Sequence, residues 1–216
     1  MSSMRTVLCA LAVLLASSIA RGDARQLGTR PTDAWIATLE NPSRVAGLKI
    51  DEVVLRLRLR PGSSVADIGA GAGAFEGALS AAVTPAGTVY AVDIEQGLLD
   101  HIAARAKTLG LSNVRVVLGK YTDPALPTRN VDTALIYDVL HHIKDRETYL
   151  RNLAGYLAPG GRIAVVDFIA GKGGHVNDSE QQITRQQTDA WMAGAGLKPV
   201  DEIALFDEKW FAIYAK

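Results

Sequence analysis

Nine residues constrain this chain more than any others: Val65-Ala66-Asp67-Ile68-Gly69-Ala70-Gly71-Ala72-Gly73. A short apolar run reads as a strand, and glycine then recurs at every second position. Glycine belongs where a backbone turns tightly at a strand end and a ligand must approach without a Cβ in the way. The residues that follow, Ala74 to Ala82, read as a helix. Gly69, Gly71 and Ala74 also satisfy the dinucleotide fingerprint in its Gly/Ala form, with Asp93 about the right distance downstream. Against that reading stands Asp67, two residues before the first glycine, at a position the fingerprint usually fills with an apolar residue.

Strand and helix signals alternate through the rest of the chain, which implies a largely parallel sheet with helices on both faces. Helices are expected at Arg44–Leu57, Leu98–Leu109, Arg146–Leu157 and Glu180–Ala195. Strands are expected at Ser64–Ile68, Thr88–Val92, Val114–Leu118, Val131–Tyr137 and Arg162–Phe168, the last after the turn Pro159-Gly160-Gly161. Two final strands, near Lys198–Leu205 and Trp210–Tyr214, lie only a few residues apart and should therefore be antiparallel neighbours. The fold class expected is α/β: a Rossmann-like, doubly wound, seven-stranded sheet, mostly parallel with an antiparallel C-terminal strand.

Four ordered segments, VADIGAGAG, VYAVDIE, VDTALIYDVLHHI and LAPGGRIAVVDF, carry a resemblance to a known family. The chain resembles the class I S-adenosylmethionine-dependent methyltransferases, and among them the small-molecule enzymes of the methyltransferase type 11 kind. The resemblance covers Arg44 to Phe168 well and the C-terminal strands loosely. It implies S-adenosylmethionine as cofactor and methyl transfer to a small-molecule acceptor. Asp67, Gly69, Ala70, Gly71 and Gly73 would line the methionine part of that cofactor. Asp93 would accept hydrogen bonds from both ribose hydroxyls, as a carboxylate with two oxygens can, and Ile94 would pack on the adenine. Asp138, just after the fourth strand, would face the methionine end or the acceptor. Many relatives carry an acidic residue after the third strand for the adenine amino group; here the place reads Gly119-Lys120-Tyr121. Lys120 cannot accept a hydrogen bond, so the adenine edge would have to use backbone groups or Asp123, with Tyr121 beside it.

A sulfonium already carries the activated methyl group, so such a protein mainly aligns donor and acceptor and excludes water. No catalytic residue is obligatory; the candidates for proton handling are Asp138, His141, His142 and His175. Adjacent histidines such as His141 and His142 point to different sides of a helix or turn, so no metal ion is expected there. Two rival readings are a non-catalytic binding module that keeps the fold, and a nicotinamide-dependent oxidoreductase.

Charge and length bound the partners. The 216 residues suit one α/β domain, with 23 basic and 23 acidic side chains. That balance argues against nucleic acid as a partner. The first twenty residues read as an export signal: Arg5, an apolar run from Val7 to Ala16, and small residues in Ser18-Ile19-Ala20. The run is too short to span a bilayer comfortably, and removing it would remove the single cysteine, Cys9. The expected organisation is a signal peptide over 1–20, a linker and N-terminal lid segment over 21–43, and the methyltransferase domain over 44–216. Export, to the periplasm or outside the cell, is the expected localisation, with membrane anchoring or a cytoplasmic protein as alternatives. It stands in tension with a cofactor made in the cytoplasm.

Overall fold

Seven strands, β1 (Ser64–Ile68), β2 (Thr88–Asp93), β3 (Val114–Leu118), β4 (Val131–Tyr137), β5 (Leu157–Phe168), β6 (Lys198–Glu202) and β7 (Lys209–Ala215), form one sheet in the order β3-β2-β1-β4-β5-β7-β6. This computed structural model describes residues 30–173 and 176–216. The expected signal segment 1–20 and His175 lie outside the described residues. Strands β1 to β5 pair in parallel; β7 runs antiparallel between β5 and β6. A dinucleotide-binding sheet ends its order in a sixth parallel strand. The inserted antiparallel β7 sets this chain apart from that arrangement and agrees with the sheet expected from the sequence.

Period-two alternation feeds two separate cores. In β4, Leu135 and Tyr137 enter the core on one face, while Ala134 and Ile136 enter the other. The first face is covered by α3 (Ile50–Leu57), α4 (Glu76–Val83) and α5 (Gln96–Thr108), which contribute Leu57, Leu79 and Ile102, with Leu48 added from the C-cap of α2 (Pro42–Gly47). The second is covered by α6 (Arg146–Ala154) and α7 (Arg185–Gly194) with Leu150, Leu153 and Met192. The edge strand β3 is mostly solvated, and Val116 and Leu118 are exposed.

Several boundaries differ from the expected ones, each for a local reason. The helix expected over Arg44–Leu57 is two helices, because Lys49 adopts a left-handed backbone (φ 50°) between α2 and α3. The last long helix starts at Arg185, not Glu180, because Thr184 and Gln187 close a capping box there. Helix α6 stops at Ala154, and β5 begins at Leu157, before the glycine turn, by pairing with Val131. A further helix, α1 (Thr32–Leu39), lies in the stretch read as linker and lid. Thr32–Lys216 make one compact unit, which therefore includes α1. Among the described residues no helix is long and apolar enough to cross a membrane.

Candidate functional site

The carboxyl ends of β1, β2, β4 and β5 lie side by side at one end of the sheet, where ligands bind in open α/β folds. At the β1–β2 side, Gly69, Gly71 and Gly73 all take left-handed backbones (φ 73°, 58° and 78°). The loop is tied to β2: the N–H groups of Gly69 and Ala70 donate to the Val92 carbonyl at 2.8 and 2.9 Å. Gly71 N–H donates to Asp93 Oδ2 at 2.9 Å, and Glu95 N–H to Asp93 Oδ1 at 3.0 Å. Each Asp93 oxygen thus has one backbone donor and keeps capacity for a second. Burial raises the Asp93 pKa, and the backbone donors oppose that rise.

Two more carboxyls sit at this loop. Asp67 is buried at the end of β1, and Glu76 is buried in the first turn of α4. Burial and the neighbouring Glu76 charge hold the Asp67 carboxyl well above the usual carboxylate range. Glu76 is pushed up to about 7, again mainly by burial. Its carboxylate lies beside Gly73, where an added Cβ would come 3.1 Å from Oε2. The groups that approach the Glu76 carboxyl are the Asp67 carboxyl and the Glu76 backbone N–H, and no other donor reaches it. The Arg105 guanidinium, nearby on α5, instead donates to the carbonyls of Ala72 (3.3 Å) and Gly73 (3.1 Å). Above the loop, Leu39 of α1 reaches within 3.2 Å of where a Gly71 Cβ would stand.

The β4–β5 side is built differently. Asp138, directly after β4, takes a left-handed backbone (φ 54°), and its Oδ2 accepts from Lys209 Nζ at 2.7 Å. Lys209 opens β7, and the antiparallel pairing Phe168↔Lys209 brings that start to the end of β5. Its ammonium also donates to the Tyr137 hydroxyl at 3.1 Å and lies 4.5, 4.7 and 5.6 Å from the ring centres of Tyr137, Phe168 and Phe206. Burial raises the Asp138 pKa, with the Lys209 charge acting against it. One turn on, His141 Nδ1 pairs with Asp167 Oδ1 at 2.7 Å, both side chains buried. The Asp167 carboxylate also accepts from the N–H groups of His141 (3.2 Å) and Phe168 (2.8 Å).

The structure thus brings together Asp67, the glycine loop and Asp93 on one side, and Asp138 and His141 on the other. Ile94 is half-buried after β2. His142 is exposed and its ring lies against that of His141, centres 4.1 Å apart and planes tilted by 50°. Tyr121 is exposed. Asp123, expected as a possible adenine partner, accepts at Oδ1 from Tyr156 Oη at 2.9 Å and from Ala125 N–H at 2.6 Å. Glu76, Asp167 and Lys209 went unnoticed in the sequence. Each of the two acids interrupts an otherwise apolar stretch, which is a usable signal, whereas nothing local marks Lys209. Among the described residues no group of acidic, histidine or cysteine side chains could hold a metal ion.

A cradle of left-handed glycines, acceptor capacity at Asp93 and the buried acids Asp67 and Glu76 fit a ligand with a ribose and a cationic tail, as S-adenosylmethionine has. Comparison with known proteins agrees. Residues 66–165 match the family model described as "Methyltransferase domain". A nocamycin O-methyltransferase from Saccharothrix syringae is 34% identical over 106 residues, 49% of this chain and 38% of that enzyme. A ubiquinone/menaquinone biosynthesis C-methyltransferase from Pasteurella multocida is 31% identical over 111 residues, 51% of this chain and 41% of that enzyme. The match spans less than half the length of either relative. A solved SAM-dependent methyltransferase from Aquifex aeolicus superposes with a TM-score of 0.75 at 24% identity, over 86% of this chain and 98% of that one.

Proposed function

We propose, from a methyltransferase domain at residues 66–165 in a chain with the class I methyltransferase fold, that this protein transfers a methyl group from S-adenosylmethionine to a small-molecule acceptor. The observation that carries the proposal is the Asp93 carboxylate, which fastens the glycine loop through Gly71 and still has acceptor capacity facing it. The cofactor supplies an activated methyl group. Gly69 to Gly73 let the backbone approach the amino-acid tail, and Asp93 holds the ribose. Helix α1, through Leu39, closes over the loop as a lid and limits water. Asp138, held by Lys209, and the His141–Asp167 pair flank the place where the acceptor enters. Alignment and water exclusion supply most of the rate advantage in such a transfer.

The purified chain should bind S-adenosylmethionine or its demethylated product in the micromolar range, roughly −8 kcal/mol. Calorimetry showing binding of NADH and of neither nucleoside would overturn the assignment. Tight nucleoside binding with no methylated product across a metabolite extract would instead favour a non-catalytic binding module. We also propose that residues 1–20 direct export, on the strength of Arg5 and the apolar run that follows it. Fractionation with N-terminal sequencing of the native protein tests this. A mature start near Arg21 outside the cytoplasm is expected, and a soluble cytoplasmic chain beginning at Met1 or Met4 would refute it.

A further inference from the structure

A net charge of zero hides a division of charge along the strands. At the carboxyl ends of the parallel strands, around the glycine loop, the connections are rich in acids such as Glu95, Asp138, Asp145, Asp207 and Glu208. The opposite end is basic. The few residues that lead into each parallel strand there include Arg58, Arg60 and Arg129 and no acid. Arg162 in β5, Lys198 at the start of β6 and Lys216 after β7 add to them. Asp132, in β4 at this end, accepts from Ser64 N–H at 2.8 Å, and Asp201 lies 3.6 Å from Arg58. Local structure calls for one of these cations and not the rest. A helix C-terminus favours positive charge and needs donors for its last carbonyls. At α3, Arg162 supplies both, donating to the Leu57 and Arg58 carbonyls. Arg58 and Arg60 stay in water, Arg58 with 72% of its side chain exposed on a left-handed backbone (φ 48°). Burial lowers the Arg162 pKa and the Arg58 and Arg60 charges lower it further, so the three guanidinium groups repel one another. Two large aliphatic side chains are exposed at the same end: Leu55 in the last turn of α3 (73%) and Leu109 at the C-cap of α5 (56%).

We propose that this end of the sheet docks on an anionic lipid surface, with Arg58, Arg60 and Arg162 against the headgroups and Leu55 and Leu109 entering the interface. The charge selects the sign of the partner, and negative headgroups relieve the repulsion among the arginines. The leucines select its kind. A nucleic acid would satisfy the arginines and leave Leu55 and Leu109 in water, whereas the boundary of a bilayer takes up both cations and aliphatic side chains. The acidic end is repelled by the same surface. A docked protein therefore turns its glycine loop and Asp93 toward water, where a soluble nucleoside reaches them. The surface lies at the far end of the strands from the proposed reaction and does not depend on it.

Co-sedimentation of the full chain with phosphatidylcholine vesicles, with and without phosphatidylglycerol, tests this. Partition onto the anionic vesicles should be at least about tenfold the stronger, and the preference should vanish at 1 M salt, where the Debye length falls to about 3 Å. Arg58→Gln with Arg60→Gln should weaken binding to anionic vesicles at least about tenfold, since each cation near such a surface counts about fivefold. Leu55→Ser should weaken it about threefold or more, through lost apolar burial. Lys172→Gln, exposed at the acidic end, should change nothing. S-adenosylhomocysteine should bind the vesicle-held and the free protein equally well. All the substituted side chains are exposed, so the fold should hold; if a variant does not fold, the lipid and salt comparisons on the wild type decide alone. Equal partition onto neutral and anionic vesicles, or binding that ignores salt, would overturn the proposal. So would binding that ignores the double substitution, because the lipid contact would then lie elsewhere in the chain, residues 1–20 included. Loss of S-adenosylhomocysteine binding on vesicles alone would overturn it by placing the cofactor site against the lipid. Capture of duplex DNA or RNA at the same salt, with no vesicle binding, would overturn it in favour of a nucleic-acid partner.

Discussion

Asp67, Glu76 and Asp93, at the β1–β2 side of the site, are buried with backbone N–H groups, one peripheral arginine and each other for company. Asp138 and Asp167, at the β4–β5 side, each already hold a side chain of the protein: the Lys209 ammonium and the His141 ring. The difference is between a region whose carboxyls are not paired with a cationic or imidazole side chain and one whose carboxyls are. Buried carboxyls with no countercharge cost the fold free energy. Carboxylates with an internal partner stabilise the fold and leave recognition to their remaining oxygens, such as the unpartnered Asp138 Oδ1. Mutations on the first side should register mainly in ligand affinity, and those on the second mainly in stability.

The largest effect expected is at Lys209. Its side chain is 12% exposed and that of Asp138 10%, so Lys209→Met strands a buried charge at a cost of about 3–5 kcal/mol. The pH dependence has a definite sign. Asp138 already has a folded-state pKa above its ordinary value, and losing Lys209 raises it further. The variant's folded state then keeps its proton to higher pH than the wild type's. Its stability deficit is small in acid, where Asp138 is neutral in both, and grows as pH rises between the two folded pKa values. Chemical denaturation at pH 5 and pH 7.5 measures this, and Asp138→Asn in the same chain should recover most of the loss. A deficit independent of pH would mean that Lys209 acts by packing on Tyr137, Phe168 and Phe206 instead.

Gly69 joins the two sides and comes next. A Cβ there would meet Val139 Cγ2, at the end of β4, at 2.4 Å, on a left-handed backbone (φ 73°). Gly69→Ala should destabilise by about 2–5 kcal/mol, from backbone strain and overpacking together. Adding Val139→Ala removes the clash but not the strain, so roughly half should return. Recovery of the whole loss, measured by thermal or denaturant melts, would show that strain at Gly69 is negligible.

How legible these regions were in the sequence follows from where their residues come from. Asp67, Asp93, Asp138 and Asp167 each stand at or just beyond the end of an apolar strand run, and such an acid is visible without a structure. The loop glycines were legible for the same reason, because segment and function coincide within a few residues. Lys209 was not, since only the reversal of β7 carries its first residue to the end of β5, and no local pattern encodes which strand an antiparallel partner joins. Glu76 interrupts an apolar stretch in the first turn of a helix, where an acid also favours the helix dipole, so its sequence position alone does not separate the two reasons. Its burial beside Gly73 is a property of the folded loop. The split of the helix expected over Arg44–Leu57 was equally hidden, because a left-handed Lys49 has no sequence signature.

Asp93→Ala should have a smaller effect on stability and a clear one on binding. It leaves the Gly71 and Glu95 N–H groups without their acceptor, at about 1–3 kcal/mol for each group that water does not reach. It also removes the ribose partner, so affinity for S-adenosylhomocysteine should fall at least about tenfold with the fold kept. Unchanged affinity in a titration would place the ribose elsewhere and end the contrast between the two sides.

The smallest effect expected is at Glu40, and it tests whether α1 is a lid. Glu40 follows α1 directly; its Oε1 lies 2.8 Å from His101 Nε2 and 3.7 Å from Arg105 Nη1, both on α5. These side chains are between 28% and 43% exposed, so the contacts are screened, and Glu40→Gln should change stability by less than about 1 kcal/mol. A lid behaves otherwise in kinetics. If α1 must lift Leu39 off Gly71 before a nucleoside leaves, weakening its tether to α5 speeds dissociation even where equilibrium stability hardly moves. The dissociation rate of S-adenosylhomocysteine, followed by stopped flow, should rise about two- to fivefold in Glu40→Gln, the equivalent of several tenths of a kcal/mol. The wild-type rate should approach the variant's as salt is raised to 1 M, where the Debye length falls to about 3 Å. A dissociation rate that ignores both the substitution and the salt would mean that α1 rests on the loop without gating it, and that Leu39 contributes packing alone.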